Sequence, residues 1–274
     1  MLSVAAATLC VWGALCLMFW LGSWQLLYHP KSAVAQTPAN AGLAFDPVEF
    51  APTDAGRPQL HGWWIAGGPE RPLTAIYLHG ANGNIGDAVD ALIPLHEAGL
   101  NLLVFDYRGY GASAFSRPSE RHWREDAEAA IRYLEDTRHI PPQSIALIGS
   151  GLGADLACEV GAAHPELAGV VLDSPMIAPE DAVFRDSRAR LVPAHLLERD
   201  RWDWTDSATR LRIPSLWLVR TSAPKLISGG LDEAYQRAGS RKTRVWVSEL
   251  DHSTIYRRAL TRWLDDLVAF GSNR

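Results

Sequence analysis

Apolar positions along the chain fall into two alternating patterns. Short continuous runs, such as Leu73-Thr74-Ala75-Ile76-Tyr77-Leu78, Leu102-Leu103-Val104-Phe105 and Ile145-Ala146-Leu147-Ile148, suit strands buried on both faces. Between them lie segments of helical spacing. Over residues 119–137, Trp123, Ala127, Ala130, Ile131 and Leu134 form one apolar stripe. Further helices are predicted over 86–98, 152–163 and 255–270. Further strands are predicted at 48–50, 60–65, 170–172, 216–219 and 245–247. Trp63 and Trp64 alternate across a strand, which predicts one in the core and one at the surface. Strands separated by helices predict an α/β fold, a mostly parallel sheet with helices on both faces. Residues 177–211 break this rhythm. They carry many charges together with Trp202 and Trp204, and read as a cap-like insertion over the carboxyl edge of the sheet. Those two tryptophans suit an acyl pocket, a small core of the insertion, or a bilayer interface.

The first 28 residues differ from the rest. They contain no charged side chain, and Leu2 to Leu27 is apolar or small apart from Ser3, Thr8, Ser23 and Gln25. About 20 apolar residues cross a bilayer as a helix. Trp20, Trp24 and Tyr28 stand where amphipathic rings meet headgroups, and Lys31 follows. The pattern predicts a single-pass transmembrane anchor over 1–30, a flexible linker over 31–44 and a folded body over 45–274. A cleaved secretory signal is the competing reading, with Ala33-Val34-Ala35 as a small-residue cleavage pattern. The side of the membrane that holds the body is open.

Composition narrows the chemistry. The chain of 274 residues has 26 basic and 31 acidic side chains, a net charge of -5, which argues against a nucleic-acid binder working by phosphate neutralisation. Three cysteines, two of them in the apolar leader, supply neither a disulfide framework nor a thiolate metal cluster. No phosphate loop, metal cluster or haem motif occurs, so no cofactor and no metal is expected. Gly149-Ser150-Gly151-Leu152-Gly153 lacks the spacing of a dinucleotide-binding loop.

Several motifs stand in a telling order: Leu78-His79-Gly80-Ala81-Asn82-Gly83-Asn84, then Phe105-Asp106-Tyr107-Arg108-Gly109-Tyr110-Gly111, then Ile148-Gly149-Ser150-Gly151-Leu152-Gly153, Leu172-Asp173-Ser174-Pro175 and Asp251-His252. Over about 45–270 the chain resembles the α/β-hydrolase superfamily, above all its small membrane-anchored, serine-aminopeptidase-like and dipeptidyl-peptidase-like members. The resemblance implies an α/β-hydrolase fold and serine-type chemistry on an ester, thioester or amide. It also implies oxyanion donors at the backbone N–H groups of Ala81 and Leu152, and a structural role for Arg108 through local pairing.

Two positions depart from that pattern. The superfamily's elbow is Gly-x-Ser-x-Gly, and the frame that keeps both outer glycines puts Gly151 at the nucleophile position, with Ser150 one residue early. The usual acid position falls at Ala223 or Pro224, in a stretch without Asp or Glu from Ser215 to Leu231. Asp232 is expected to open a helix, while Asp173 is the better substitute acid, against a loop-fixing role for the same residue. His252 keeps the place of the triad histidine. Two readings follow. One is a hydrolase-fold protein with lost or strongly reduced activity that binds a small acyl or anionic ligand or a protein partner. The other is an active hydrolase using Ser150, His252 and Asp173.

Overall fold

The computed structural model describes residues 2–52, 56–57, 59–68, 73–221, 225–248 and 252–271. The chain opens with helix α1 (Leu2–Gly22) and a 3-10 turn (Ser23–Leu26). The short strand β1 (His29–Pro30) precedes β2 (Asp46–Phe50), β3 (Leu60–Ile65), β4 (Thr74–Leu78) and the two-residue β5 (Asn82–Gly83). Then α2 (Val89–Glu97), β6 (Asn101–Phe105), α3 (Glu120–Arg132), β7 (Ile145–Ser150), α4 (Leu152–Ala163) and β8 (Gly169–Asp173) alternate. The insertion contributes three short helices, α5 (Asp181–Phe184), α6 (Ala194–Leu197) and α7 (Trp204–Arg210). The series closes with β9 (Ser215–Arg220), α8 (Lys225–Arg237), β10 (Lys242–Val247) and α9 (His252–Gly271).

Eight strands form the main sheet in the order β10-β9-β8-β7-β4-β6-β3-β2. All neighbours are parallel except the edge pairs β2–β3 and β3–β6. The continuous apolar runs explain this arrangement. Every residue of β4 and β8 is buried, so both faces must be covered. One face packs a core that includes Leu78, Phe105, Trp123, Leu147 and Leu172, and the other a core that includes Tyr77, Ile148, Val171, Tyr256 and Leu260.

Several expectations are corrected. Trp63 and Trp64 are both buried, on opposite faces. Phe45 meets the ring of Trp63 edge-on, and the guanidinium of Arg138 covers Trp64 at 4.4 Å. Asp232 does not open a helix; it lies inside α8 and pairs with Arg244 of β10. Segment 31–44, expected to be flexible, is tied to the body. β1 pairs in parallel with β5, and the Asn84 amide donates to the carbonyls of Lys31 and Ala33 at 3.1 and 2.8 Å. In the insertion, Trp202 packs edge-on against Trp123 and Trp204 against Trp217, both inside the core.

Candidate functional site

The turn from β7 into α4 fixes the site. Gly151 sits between them with φ 57° and ψ -125°, a region closed to most side-chain-bearing residues without strain. Its amide donates to the Asp173 carbonyl at 2.9 Å, and its carbonyl accepts from Ala154 at 2.9 Å. The flanking glycines are required by packing. A Cβ on Gly149 would stand 2.0 Å from the Gly153 carbonyl oxygen, and one on Gly153 would stand 2.1 Å from that of Leu78. A Cβ on Gly151 would meet nothing closer than the Gly80 Cα at 4.0 Å. The turn is therefore packed tightly at its outer glycines and open at its middle one. The apex that would carry a nucleophile is Gly151, facing the turn after β4.

That neighbouring turn is held from beneath. The hydroxyls of Tyr107 and Tyr110 donate to the carbonyls of His79 and Ala81 at 3.2 and 2.9 Å. The His29 amide donates to the same Ala81 oxygen. His79 is buried and packs against Tyr107, Tyr110 and Trp123. Its Nδ1–H donates to the Gly80 carbonyl at 2.8 Å, which leaves Nε2 facing Asp106 Oδ1 at 3.5 Å. Burial pushes His79 down to about 4 and Asp106 up to about 7, so the imidazole is neutral near pH 7. Asp106 accepts from the Ile85 amide at 2.9 Å. This pair shapes the loop that carries Ala81. Arg108 pairs with Asp126 and Glu125 at 2.5 and 2.8 Å and stays a structural cation.

Ser150 and Asp173 stand in register across β7 and β8. Their strand positions alternate with those of Leu147 and Leu172. The two side chains therefore belong to the face covered by α9. Tyr77 of β4 is on that face, a buried neighbour of Ser150 and Asp173. Tyr256 of α9 is a further buried neighbour of Asp173 and Tyr77. Burial raises both phenols, with Asp173 adding to the rise. Asp173 also accepts from the Ser174 hydroxyl at 2.8 Å. His252 begins α9, one helical turn before Tyr256. Ala223, Pro224 and Asp251 lie outside the described residues. Leu152 opens α4 and Ala81 follows β4, so both expected donor positions border Gly151.

The sequence reading puts Tyr77 in a buried strand and Tyr256 on the last helix but assigns neither to the site. Each carried a signal: a phenol in an otherwise aliphatic strand, and an aromatic four residues after the histidine, hence on one helix face with it.

Comparison with known proteins agrees with this fold. Residues 71–199 match the family described as serine aminopeptidase, S33. The chain superposes on the Pyrococcus furiosus esterase Pf2001 with a TM-score of 0.68 at 20% identity, over 88% of this chain and 98% of that one. The chain adopts the α/β-hydrolase fold. It is 27% identical over 269 residues to the uncharacterized protein YfhR of Salmonella typhimurium, covering 88% of each chain. It is 30% identical over 132 residues to the alpha/beta hydrolase domain-containing protein WAV2 of Arabidopsis thaliana, covering 47% of this chain and 42% of that one. At 20% identity the likeness to the esterase is one of fold.

Proposed function

We propose that this hydrolase-fold protein is held at a membrane by α1 and has lost, or strongly reduced, serine hydrolase activity. Its preformed turn would hold a small acyl or anionic group, or a partner, without cleaving it. The carrying observation is Gly151, which fills the apex of a turn whose two outer glycines cannot be replaced. Without a side chain there, no hydroxyl stands in front of the backbone donors expected at Ala81 and Leu152. Ser150 does not take its place, because it ends β7 one residue before the apex, in register with Asp173 on the face covered by α9. Removing a triad member costs several orders of magnitude in rate.

The second reading, an active enzyme using Ser150, Asp173 and His252, draws support from the register that sets Ser150 beside Asp173. Turnover of short-chain p-nitrophenyl esters by the full chain in detergent separates the two. The first reading expects no turnover above a His252→Ala variant. Turnover abolished by both Ser150→Ala and His252→Ala would establish the second.

The anchor reading rests on α1 being apolar and long enough to span a bilayer, with few of its residues buried. The chain after it also supports the anchor over a cleaved leader. Cutting after Ala35 would remove β1 and Tyr28, whose ring packs against Trp123 at 5.5 Å and whose hydroxyl donates to Asp200 at 2.5 Å.

A further inference from the structure

The insertion is built against the membrane helix. α6 packs on α1, and α5 packs on the turn Ser23–Leu26. The indole N–H of Trp12, ten residues before the end of α1, donates to the Leu191 carbonyl at 3.2 Å. In hydrocarbon an unpaired indole N–H is costly, so this acceptor matters at that depth. Leu191, Val192 and Arg188 also close a small crevice of about 130 Å³ against Leu15, Met18 and Phe19.

Charge sets the level of the interface. The Arg199 guanidinium lies 4.0 Å over the Trp20 ring, and Arg117 donates to the Trp20 carbonyl at 2.9 Å. Guanidinium groups belong at the headgroups rather than in the acyl region. Trp12 lies eight residues further along α1, about 12 Å deeper at ~1.5 Å per residue. Leu191 therefore reaches below the headgroups, into the outer acyl region.

Among the described residues, the large hydrophobic side chains exposed outside α1 are Phe115, Leu191, Leu196 and Trp246. Leu191 and Leu196 are 62% and 82% exposed on the segment beside α1. Phe115 is 100% exposed and stands two residues before Arg117.

We infer that residues 187–197 and Phe115 dock into the phospholipid bilayer interface around α1, so that the insertion is a membrane-embedded face and not a cap in water. Leu191, Leu196 and Phe115 enter the acyl boundary, while Arg117, Arg188, Arg190 and Arg199 meet lipid phosphates. Such interfacial segments sit about 5–10 Å below the headgroups. This inference rests on α1 remaining in the chain as a membrane helix.

The test is spin-label accessibility on the full chain in vesicles of phosphatidylcholine and phosphatidylglycerol. Cys10→Ala and Cys16→Ala remove the reactive native thiols, since Cys158 is buried. Labels go on Leu191→Cys, Leu196→Cys and Phe115→Cys, with exposed Asp136→Cys, beyond the far end of α3, as the reference. The expected result is oxygen access several-fold above nickel-chelate access at the first three sites and the reverse at the reference. Nickel access at all four sites, in protein that floats with the vesicles, would overturn the inference and leave the anchor intact. Low access to both reagents at the three sites would point to cover by a second copy and also overturn it. Protein that fails to float with the vesicles would remove the anchor reading and this one with it.

Discussion

Gly151, Gly149 and Gly153 occupy one turn for different reasons. The outer two are excluded from carrying a Cβ by backbone within 2.0–2.1 Å. The middle one has room but a backbone conformation that strains any other residue. Gly149→Ala is therefore expected to destabilise the fold by more than about 4 kcal/mol or prevent folding. Gly151→Ser is expected to cost about 1–3 kcal/mol and leave the fold intact. Thermal unfolding of the two variants checks this ordering. Gly151→Ser alone is expected not to restore esterase turnover typical of the superfamily, because the usual acid position is also empty of a carboxylate. Turnover at that level would mean that Asp173 or Asp232 already orients His252. The glycine spacing made this frame legible in the sequence. The side-by-side placement of Ser150, Asp173, Tyr77 and Tyr256 was not legible in full. It depends on the register of three strands and on which face α9 covers, and neither is a local property of the chain.

Among the elements, the parallel strands and the helices α3 and α4 were readable because their apolar patterns repeat cleanly. The fate of 31–44 was not. A segment rich in small residues reads as mobile, yet pairing with β5 and the Asn84 amide hold it in place. The tryptophan pair misled for a similar reason, since coverage of Trp64 comes from Arg138, more than seventy residues away. His164 offers a test of inter-element electrostatics. It follows α4 and bridges Glu128 of α3 and Glu166 at 2.7 and 2.6 Å. Hydrogen bonding to Glu128 raises its pKa to about 9 despite burial. A raised histidine stabilises fully below its ordinary value near 6.5, and that contribution fades as pH rises through about 9. His164→Gln should thus cost about 1–2 kcal/mol near pH 6, after allowance for partial solvent screening. The difference from the parent protein should shrink between about pH 6.5 and 9 in chemical denaturation and be largely gone above that. A gap that stays constant from pH 6 to 10 would show that packing alone accounts for it.

At the scale of the molecule, the chain after the apolar helix α1 is joined to the turn that faces Gly151. β1 follows the 3-10 turn after α1 and pairs with the strand that follows Ala81, and Tyr28 enters the core beside it. A truncation starting at Ser23 keeps both. One starting at Ser32 loses them and should unfold with at least about 3 kcal/mol less stability, from the buried ring and its hydrogen bond. Equal melting curves for the two truncations would contradict this coupling. The proposed reading is that the scaffold keeps the turn of a serine hydrolase but presents glycine where the hydroxyl belongs. Intact-mass reading of the full chain after treatment with a fluorophosphonate tests that claim most directly, with Ser150→Ala and His252→Ala beside it. The account expects no adduct on the parent protein. A stoichiometric adduct that both variants abolish would contradict it and establish Ser150 as a working nucleophile.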